Sequence, residues 1–268
     1  MRIEYAGACY HVLCRGDRRE AIVRTDADRE LFLTTLGEAC AKTGWRVHAY
    51  VLMPNHYHLL LETPEANLVA GMRWFQSTYT ARFNRRHRLA GHLFQGRYKA
   101  LLVEPDAGDY LATVSTYIHL NPVRARLVKA EEVADYAWSS VRSYLRPRER
   151  PTWLEAERVV GSFGLVDTPA GRRRYAAYLV ERGREEVRKG GAEAQAYGGI
   201  RRGWCYGGEA FRERVEKELS KKAVRARVSY SGGAIATHDE RQAESMIKAE
   251  LRRLGLTLEA VKGLSWRD

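Results

Sequence analysis

The sequence lacks the cysteine patterns of zinc ribbons and of CxxC redox motifs. Its four cysteines are scattered, at Cys9, Cys14, Cys40 and Cys205, so we expect reduced thiols and not a metal or disulfide framework. The chain also has no apolar run near the ~20 residues that a membrane span needs, no signal peptide at its start and no Walker-type glycine loop. These absences argue against membrane, secreted and P-loop proteins and predict a cytoplasmic protein.

Acidic residues are too few to balance the basic ones. The 268 residues include 45 Lys and Arg against 33 Asp and Glu, which gives a net charge of +12 and a pI near 9.7. Such an excess favours a polyanionic partner. Because no membrane signal is present, nucleic acid is a better prediction than an anionic membrane surface, and we expect the protein at the nucleoid. Roughly +4 of the charge falls in residues 1–143 and roughly +8 in the remainder.

Strand and helix signals alternate over the first 130 or so residues. The stretch 8–15 predicts a strand, and a capping box of Thr25 with Asp28 begins a helix that Gly44 ends. Periodicity then predicts strands at 45–53, 56–62 and 92–104 and helices at 68–83 and 109–120, the last interrupted near Pro122. This order predicts an α+β fold of the ferredoxin-like, split βαββαβ type: an antiparallel sheet with helices on one face.

The composition changes near residue 145, at the stretch RPRERP. We therefore predict a domain at 1–144 and a basic, mainly helical accessory region at 145–268 that contacts the nucleic acid. Two basic helical patterns carry this prediction: RRGWCYGGEAFRERVEKELSKKAVRAR at 201–227 and DERQAESMIKAELRRLGL at 239–256.

The stretch MPNHYHLLLE, residues 53–62, places two histidines on a predicted strand. His56 and His58 are two positions apart, so they share a face at a spacing of about 6.6 Å, whereas Tyr57 faces the other side. Two imidazoles at this spacing can bind one metal ion, or they can be ordinary polar residues of a strand. The pair alone leaves both interpretations open.

The stretch STYIHLNPV places a hydroxyl and an amide four residues apart. On a helix, Tyr117 and Asn121 lie on one face. A tyrosine hydroxyl can act as a nucleophile, and an amide oxygen is a hard ligand suited to Mg²⁺ or Mn²⁺. A core role is the alternative for Tyr117, which borders an apolar stripe, and Pro122 disfavours helical geometry at Asn121.

The two motifs, MPNHYHLLLE and then YIHLNPVRA, resemble those of the single-tyrosine HUH transposases. The similarity covers about residues 1–130 and points to the REP-associated tyrosine transposases, relatives of small insertion-sequence transposases. It implies that His56, His58 and Asn121 bind a divalent ion, Mg²⁺ or Mn²⁺, and that Tyr117 is the nucleophile. The implied activity is cleavage and rejoining of single-stranded DNA at hairpin-associated sites, through a 5′-phosphotyrosine.

Basic residues of the predicted second helix and fourth strand are candidate phosphate contacts, with a solvated surface as the alternative: Arg82, Arg85, Arg86, Arg97 and Lys99. His11, His48 and His92 could approach the site, but each is expected to be structural. Tyr79 is a weaker candidate nucleophile, because it lies in the middle of an apolar helix stripe. The expected partner is single-stranded or hairpin DNA, bound by a monomer or homodimer.

Two other functions fit the same sequence. One is a domesticated protein that binds hairpin DNA but does not cut it; the intact set of two histidines, a tyrosine and an asparagine argues against this. The other is an RNA-binding protein on a ferredoxin-like scaffold. Its usual paired aromatics on RNP-type strands are not recognisable in this sequence.

Overall fold

A computed structural model describes residues 3–189 and 197–225. By packing, the chain forms two compact units, one of residues Arg2–Phe211 and one of Met1 with Arg212–Asp268. The strands and site residues described below belong to the first unit. The predicted helical stretch at 239–256 lies outside the described residues.

The described strands form one five-stranded sheet in the order β2-β3-β1-β4-β5. Neighbours within the first four strands are antiparallel, and β5 runs parallel to β4. The first four strands have the order and connections of a ferredoxin-like split arrangement, which confirms the predicted fold class. The strands are β1 (Ala8–Arg15), β2 (Arg46–Leu52), β3 (His56–Thr63), β4 (Lys99–Val103) and β5 (Cys205–Tyr206).

The helix that follows β1 begins and ends where the sequence predicts. The Thr25 hydroxyl accepts a hydrogen bond from the Asp28 backbone N–H, the Asp28 carboxylate accepts one from that of Thr25, and Gly44 ends the helix at φ 71°. The helices are α1 (Asp26–Thr43), α2 (Leu68–His87), α3 (Tyr110–His119), α4 (Asn121–Arg124), α5 (Ser140–Leu145), α6 (Glu157–Gly161), α7 (Pro169–Lys189), α8 (Gly198–Arg202) and α9 (Glu209–Arg225). Over the described ranges, none of them is long and apolar enough to cross a membrane.

Helices lie on both faces of the sheet. The Tyr57 ring packs against Phe32 of α1 and Phe75 of α2, whereas the ring of the next residue, His58, packs against Tyr117 of α3. Since successive strand residues point to opposite faces, α1 and α2 cover one face and α3 the other. The prediction that the helices lie on one face of the sheet is correct for α1 and α2, whereas α3 covers the other face.

One local prediction needs correction, and one predicted interruption is present. The strand predicted at 92–104 begins only at Lys99, because the preceding residues form a loop in which Gly91 and Gly96 have φ of 95° and 62°. The interruption expected near Pro122 lies at Leu120: α3 ends at His119, and α4 begins with Asn121, which precedes Pro122 in its first turn. Proline is tolerated there because first-turn N–H groups have no partner inside the helix. Asn121 is therefore helical despite the proline that follows it.

Residues beyond 139 contribute to the sheet unit. Ser139 forms a bridge to Val51 and Leu154 one to Val47, and the Leu102 N–H donates to the Trp204 carbonyl. The compact unit thus continues to Phe211, past residue 145. The functional division into a catalytic domain at 1–144 and an accessory region at 145–268 stays a prediction.

His119 is a fully buried histidine whose surroundings make the fold sensitive to acid. Its Nδ1 lies 2.7 Å from the Tyr175 hydroxyl and its Nε2 2.6 Å from that of Ser140, and burial lowers its pKa to about 3. In the unfolded chain this histidine has an ordinary pKa of about 6.5. The unfolded chain therefore takes up a proton at a higher pH than the folded protein does. The contribution of His119 to stability is present above pH 6.5 and is lost as the pH falls towards 3.

We expect this histidine to remove on the order of 1 kcal/mol from the free energy of unfolding per pH unit below about 6. Urea unfolding measured between pH 7 and pH 4 gives the slope. His119→Gln should reduce the slope of the unfolding free energy against pH by the contribution of about one proton. An unchanged slope in this variant would mean that His119 does not contribute to the acid sensitivity.

Candidate active site

Three histidines and a tyrosine meet on the sheet face that α3 covers. His11 comes from β1, His56 and His58 from β3 and Tyr117 from α3. The ring centroids of His56 and His58 are 5.2 Å apart, and the Tyr117 centroid lies 5.6 Å from that of His58 and 5.8 Å from that of His11. Asn121 joins the group from α4, because its Nδ2 donates to the Tyr117 carbonyl at 3.1 Å. The structure brings together the four residues singled out by the sequence motifs.

Each of the two motif histidines uses one ring nitrogen for a protein contact. His56 Nδ1 lies 2.8 Å from Asn55 Oδ1, and His58 Nδ1 lies 2.8 Å from His11 Nε2. With the proton of both rings on Nδ1, the Nε2 lone pairs of His56 and His58 are available to a metal ion. In that arrangement His11 Nε2 accepts the hydrogen bond that His58 Nδ1 donates.

The environment keeps these imidazoles neutral. Burial, with a smaller effect of the Arg15 charge, lowers the pKa of His56 to about 4, although a hydrogen bond with Asn121 acts in the opposite direction. Burial also lowers the pKa of His58 well below its usual value, helped by His11 and His56. Neutral imidazole is the form that binds metals, so both rings are competent ligands at neutral pH.

The donor set fits a divalent cation only if an amide takes part. Within 3–189 and 197–225, no three His, Cys, Asp or Glu side chains gather to hold a metal ion. Asn121, whose side chain lies beside His56, offers an amide oxygen as a third donor. Mg²⁺ and Mn²⁺ accept such oxygens and complete their shells with water or phosphate. The residues fit such an ion, with modest affinity because two of the three donors are nitrogens.

The rival nucleophile, Tyr79, has a structural role. Its hydroxyl donates to the Ile22 carbonyl at 2.6 Å, and burial raises its pKa. It lies on α2, beneath the opposite face of the sheet. Tyr117 is the tyrosine beside the motif histidines, with 8% of its surface exposed.

The candidate phosphate contacts on α2 are not brought to this site. Arg82 donates to both carboxylate oxygens of Glu38, Arg86 pairs with Asp28 at 3.2 Å, and Arg85 is exposed on the same helix. Since α2 covers the face opposite Tyr117, these arginines lie away from the histidines.

Lys99 lies on the site face. It is the register partner of Leu13, which is also the partner of His58, and cross-strand partners share a face. Lys99 and Arg97 are both exposed. The structure thus separates Lys99 from the three arginines of α2.

Three further residues of the site were not assigned to it from the sequence. His11, expected to be structural, contacts His58; Arg15 is exposed beside its register partner His56. Arg124 lies over the Tyr117 ring at 4.3 Å. Strand alternation in YHVLCR could have placed His11 and Arg15 on one face, and helical spacing from Asn121 could have indicated Arg124. The other two histidines are elsewhere: His48 contacts Glu62 and His92 is exposed.

The domain is of the ferredoxin-like α+β type and has a histidine pair and a tyrosine on one sheet face. Residues 5–121 match the family model described as "Transposase IS200 like". This part of the chain is therefore similar to the IS200-like transposases, a family of enzymes that act on DNA. The match agrees with the resemblance of the sequence motifs.

Two solved structures show partial likeness to this chain. One is a REP-associated tyrosine transposase bound to a REP hairpin, with TM-score 0.46, 18% identity and coverage of 56% of this chain and 87% of that one. The other is a candidate transposase from Deinococcus radiodurans R1, with TM-score 0.33, 20% identity and coverage of 42% and 91%. No curated protein gives a sequence match. The similarity to a known family thus rests on the family model.

Proposed function

We propose that this protein is a metal-dependent transposase that cleaves and rejoins single-stranded DNA through Tyr117. The observation that supports it is the meeting of Tyr117, His56, His58 and Asn121 in one site. A nucleophile beside neutral metal-binding imidazoles is the arrangement that phosphodiester cleavage by tyrosine needs.

The proposed reaction conserves the number of phosphoester bonds. The Tyr117 hydroxyl oxygen attacks phosphorus and loses its proton, while the bond from phosphorus to the 3′ oxygen breaks and that oxygen gains a proton. The products are a 5′-phosphotyrosine and a free 3′-hydroxyl. Attack by a 3′-hydroxyl on the phosphotyrosine restores a DNA strand, so no ATP is needed. The sequence has no Walker-type loop, in keeping with this chemistry.

The surrounding residues have distinct proposed roles. A cation, Mg²⁺ or Mn²⁺, held by His56, His58 and Asn121, would polarise the scissile phosphate. His11 orients the His58 ring through the 2.8 Å contact between their nitrogens. Arg15 and Lys99, exposed on the same face, supply positive charge for the DNA backbone.

The proposed substrate is a single strand with a hairpin beside the cut. Tyr117 is largely buried, so the scissile phosphate must bend into the site, and a base pair at that point must first be unstacked at a cost of a few kcal/mol. We expect single-stranded oligonucleotides with an adjacent hairpin to be cleaved at least about tenfold faster than the fully paired duplex. Labelled oligonucleotides in Mn²⁺, run on denaturing gels, give both rates. Equal rates on the duplex would contradict this substrate.

The same oligonucleotides distinguish the alternatives. A domesticated binding protein would shift the hairpin on a native gel without a covalent band, and an RNA-binding protein would prefer the RNA version of the strand. DNA contacts by residues 145–268, an oligomeric state of monomer or homodimer, and a location at the cytoplasmic nucleoid stay predictions. Of the basic residues expected to make those contacts, Arg227 and the side chains of Lys221, Lys222 and Arg225 lie outside what the structure describes.

A further inference from the structure

We infer that Arg124, Glu186 and Tyr197 form a clamp that holds the Tyr117 side chain in its reactive position. The inference rests on the proposed role of Tyr117 and deepens it. All three members lie beyond residue 121, where the family match ends. The clamp therefore gives part of the chain outside the family model a role in the reaction itself, as a set of positioning residues.

Arg124 holds Tyr117 at both its backbone and its ring. One guanidinium nitrogen, Nη2, donates to the Tyr117 carbonyl, and the guanidinium carbon lies 4.3 Å from the centre of the Tyr117 ring. The same carbon lies 5.1 Å from the Tyr197 ring. A planar cation in this position stacks on the aromatic face while its N–H groups stay bonded. Arg124 thereby restricts rotation of the tyrosine side chain.

Glu186 fixes Arg124 from α7. Its carboxylate accepts two hydrogen bonds from Arg124 Nη1, at 2.9 and 3.2 Å, and is only 6% exposed. The Tyr197 hydroxyl donates to the same carboxylate at 2.6 Å. Burial raises the pKa of Tyr197, so this hydroxyl remains protonated and acts as a donor. Removing the carboxylate would leave a half-buried arginine without its counter-charge.

Tyr197, the third member of the clamp, contacts the Tyr117 ring directly. The rings of Tyr197 and Tyr117 are 5.1 Å apart, while His58 and His11 contact Tyr117 from the sheet. The nucleophile is thus enclosed by aromatic rings and a guanidinium. A buried ion pair contributes little to stability over a well-packed apolar pair, whereas a displacement of about 1 Å at a reacting group can cost ~100-fold in rate. Positioning explains the location of the pair better than stability does.

Glu186→Gln in the full-length chain is the direct test. The amide keeps the shape of the side chain but not its charge, so Arg124 loses its anchor. We expect covalent adduct formation to slow by about 10- to 100-fold, with the Kd for hairpin DNA within about twofold of the original. A fluorotyrosine placed at position 117 should show a broadened or split ¹⁹F resonance in the DNA-free variant, against a single sharp one in the parent.

Asp167→Asn is the matched control. Asp167 is a largely buried carboxylate that pairs with Arg150 at 2.8 Å and with Arg172 of α7 at 2.5 Å. This change therefore also breaks an ion pair that involves α7, but not one that touches Tyr117. We expect it to leave the cleavage rate and the ¹⁹F resonance unchanged. Equal effects of the two substitutions would overturn the clamp and indicate a general loosening of the helix.

Tyr197→Phe is the milder second variant, should Glu186→Gln fail to fold. It keeps the ring and removes the hydroxyl, with its hydrogen bonds to Glu186 and Arg182, so the rate should fall in the same direction by a smaller factor. An unchanged rate and an unchanged ¹⁹F resonance in the folded variants would overturn the inference. If Tyr117→Phe still cleaves DNA, the proposed function fails instead, and the ¹⁹F resonance still reports whether the clamp holds the ring.

Discussion

Tyr117→Phe should abolish covalent attachment to DNA, with a loss of cleavage of about 10³-fold or more. The substitution removes only the hydroxyl oxygen that would bond to phosphorus. The ring keeps its contacts with His58 and with the Arg124 guanidinium, so folding and hairpin binding should survive. The covalent protein–DNA band on a denaturing gel and a binding titration measure the two effects separately.

Tyr79→Phe is the control for this experiment. Its hydroxyl donates to the Ile22 carbonyl, so the variant should lose about 1 kcal/mol of stability and retain cleavage. The reverse pattern, with cleavage normal in Tyr117→Phe and lost in Tyr79→Phe, would show that the nucleophile has been assigned to the wrong tyrosine.

His58→Ala should reduce the cleavage rate by about 100-fold or more and weaken binding of Mn²⁺. The change removes an imidazole that the site holds neutral and leaves at most two protein donors. His56→Ala should have a comparable effect. Asn121→Ala should be milder, because water can replace one oxygen ligand. Calorimetric titration with Mn²⁺ in the absence of DNA measures metal binding independently of activity.

Tyr57→Phe is the matched control, since Tyr57 lies between the two histidines but faces the opposite side of the sheet. Its hydroxyl accepts a hydrogen bond from Gln76 at 2.9 Å, so we expect a small loss of stability and no loss of metal binding. Excess EDTA should stop cleavage by the parent protein. Full activity in EDTA would exclude the metal-dependent mechanism.

Local patterns predicted much of the fold. Alternating residues placed His56 and His58 on one face of β3, and the Thr25 capping box and Gly44 located both ends of α1. These features depend on neighbours within a few residues, so the sequence contains them directly. The pairing of Tyr117 with Asn121 was predicted for the same reason.

Contacts between distant residues could not be predicted in this way. His11 reaches His58 only because β1 and β3 are neighbours in the sheet, and Glu186 reaches Arg124 only because α7 packs near α4. The short strand β5 forms because it pairs with β4, which is distant in sequence. The loop before Lys99 depends on the conformation of its glycines. Periodicity describes which face a residue takes, but not which distant residue it meets.

Mass spectrometry of the covalent complex identifies the residue that bonds to DNA. The protein is incubated with hairpin oligonucleotide and Mn²⁺, the DNA is digested with nuclease, and the modified peptide is sequenced by fragmentation. We expect a nucleotide attached through its 5′ phosphate to Tyr117. Attachment to another residue such as Tyr79 or Tyr197, or no adduct on a hairpin that the protein binds, would contradict this expectation.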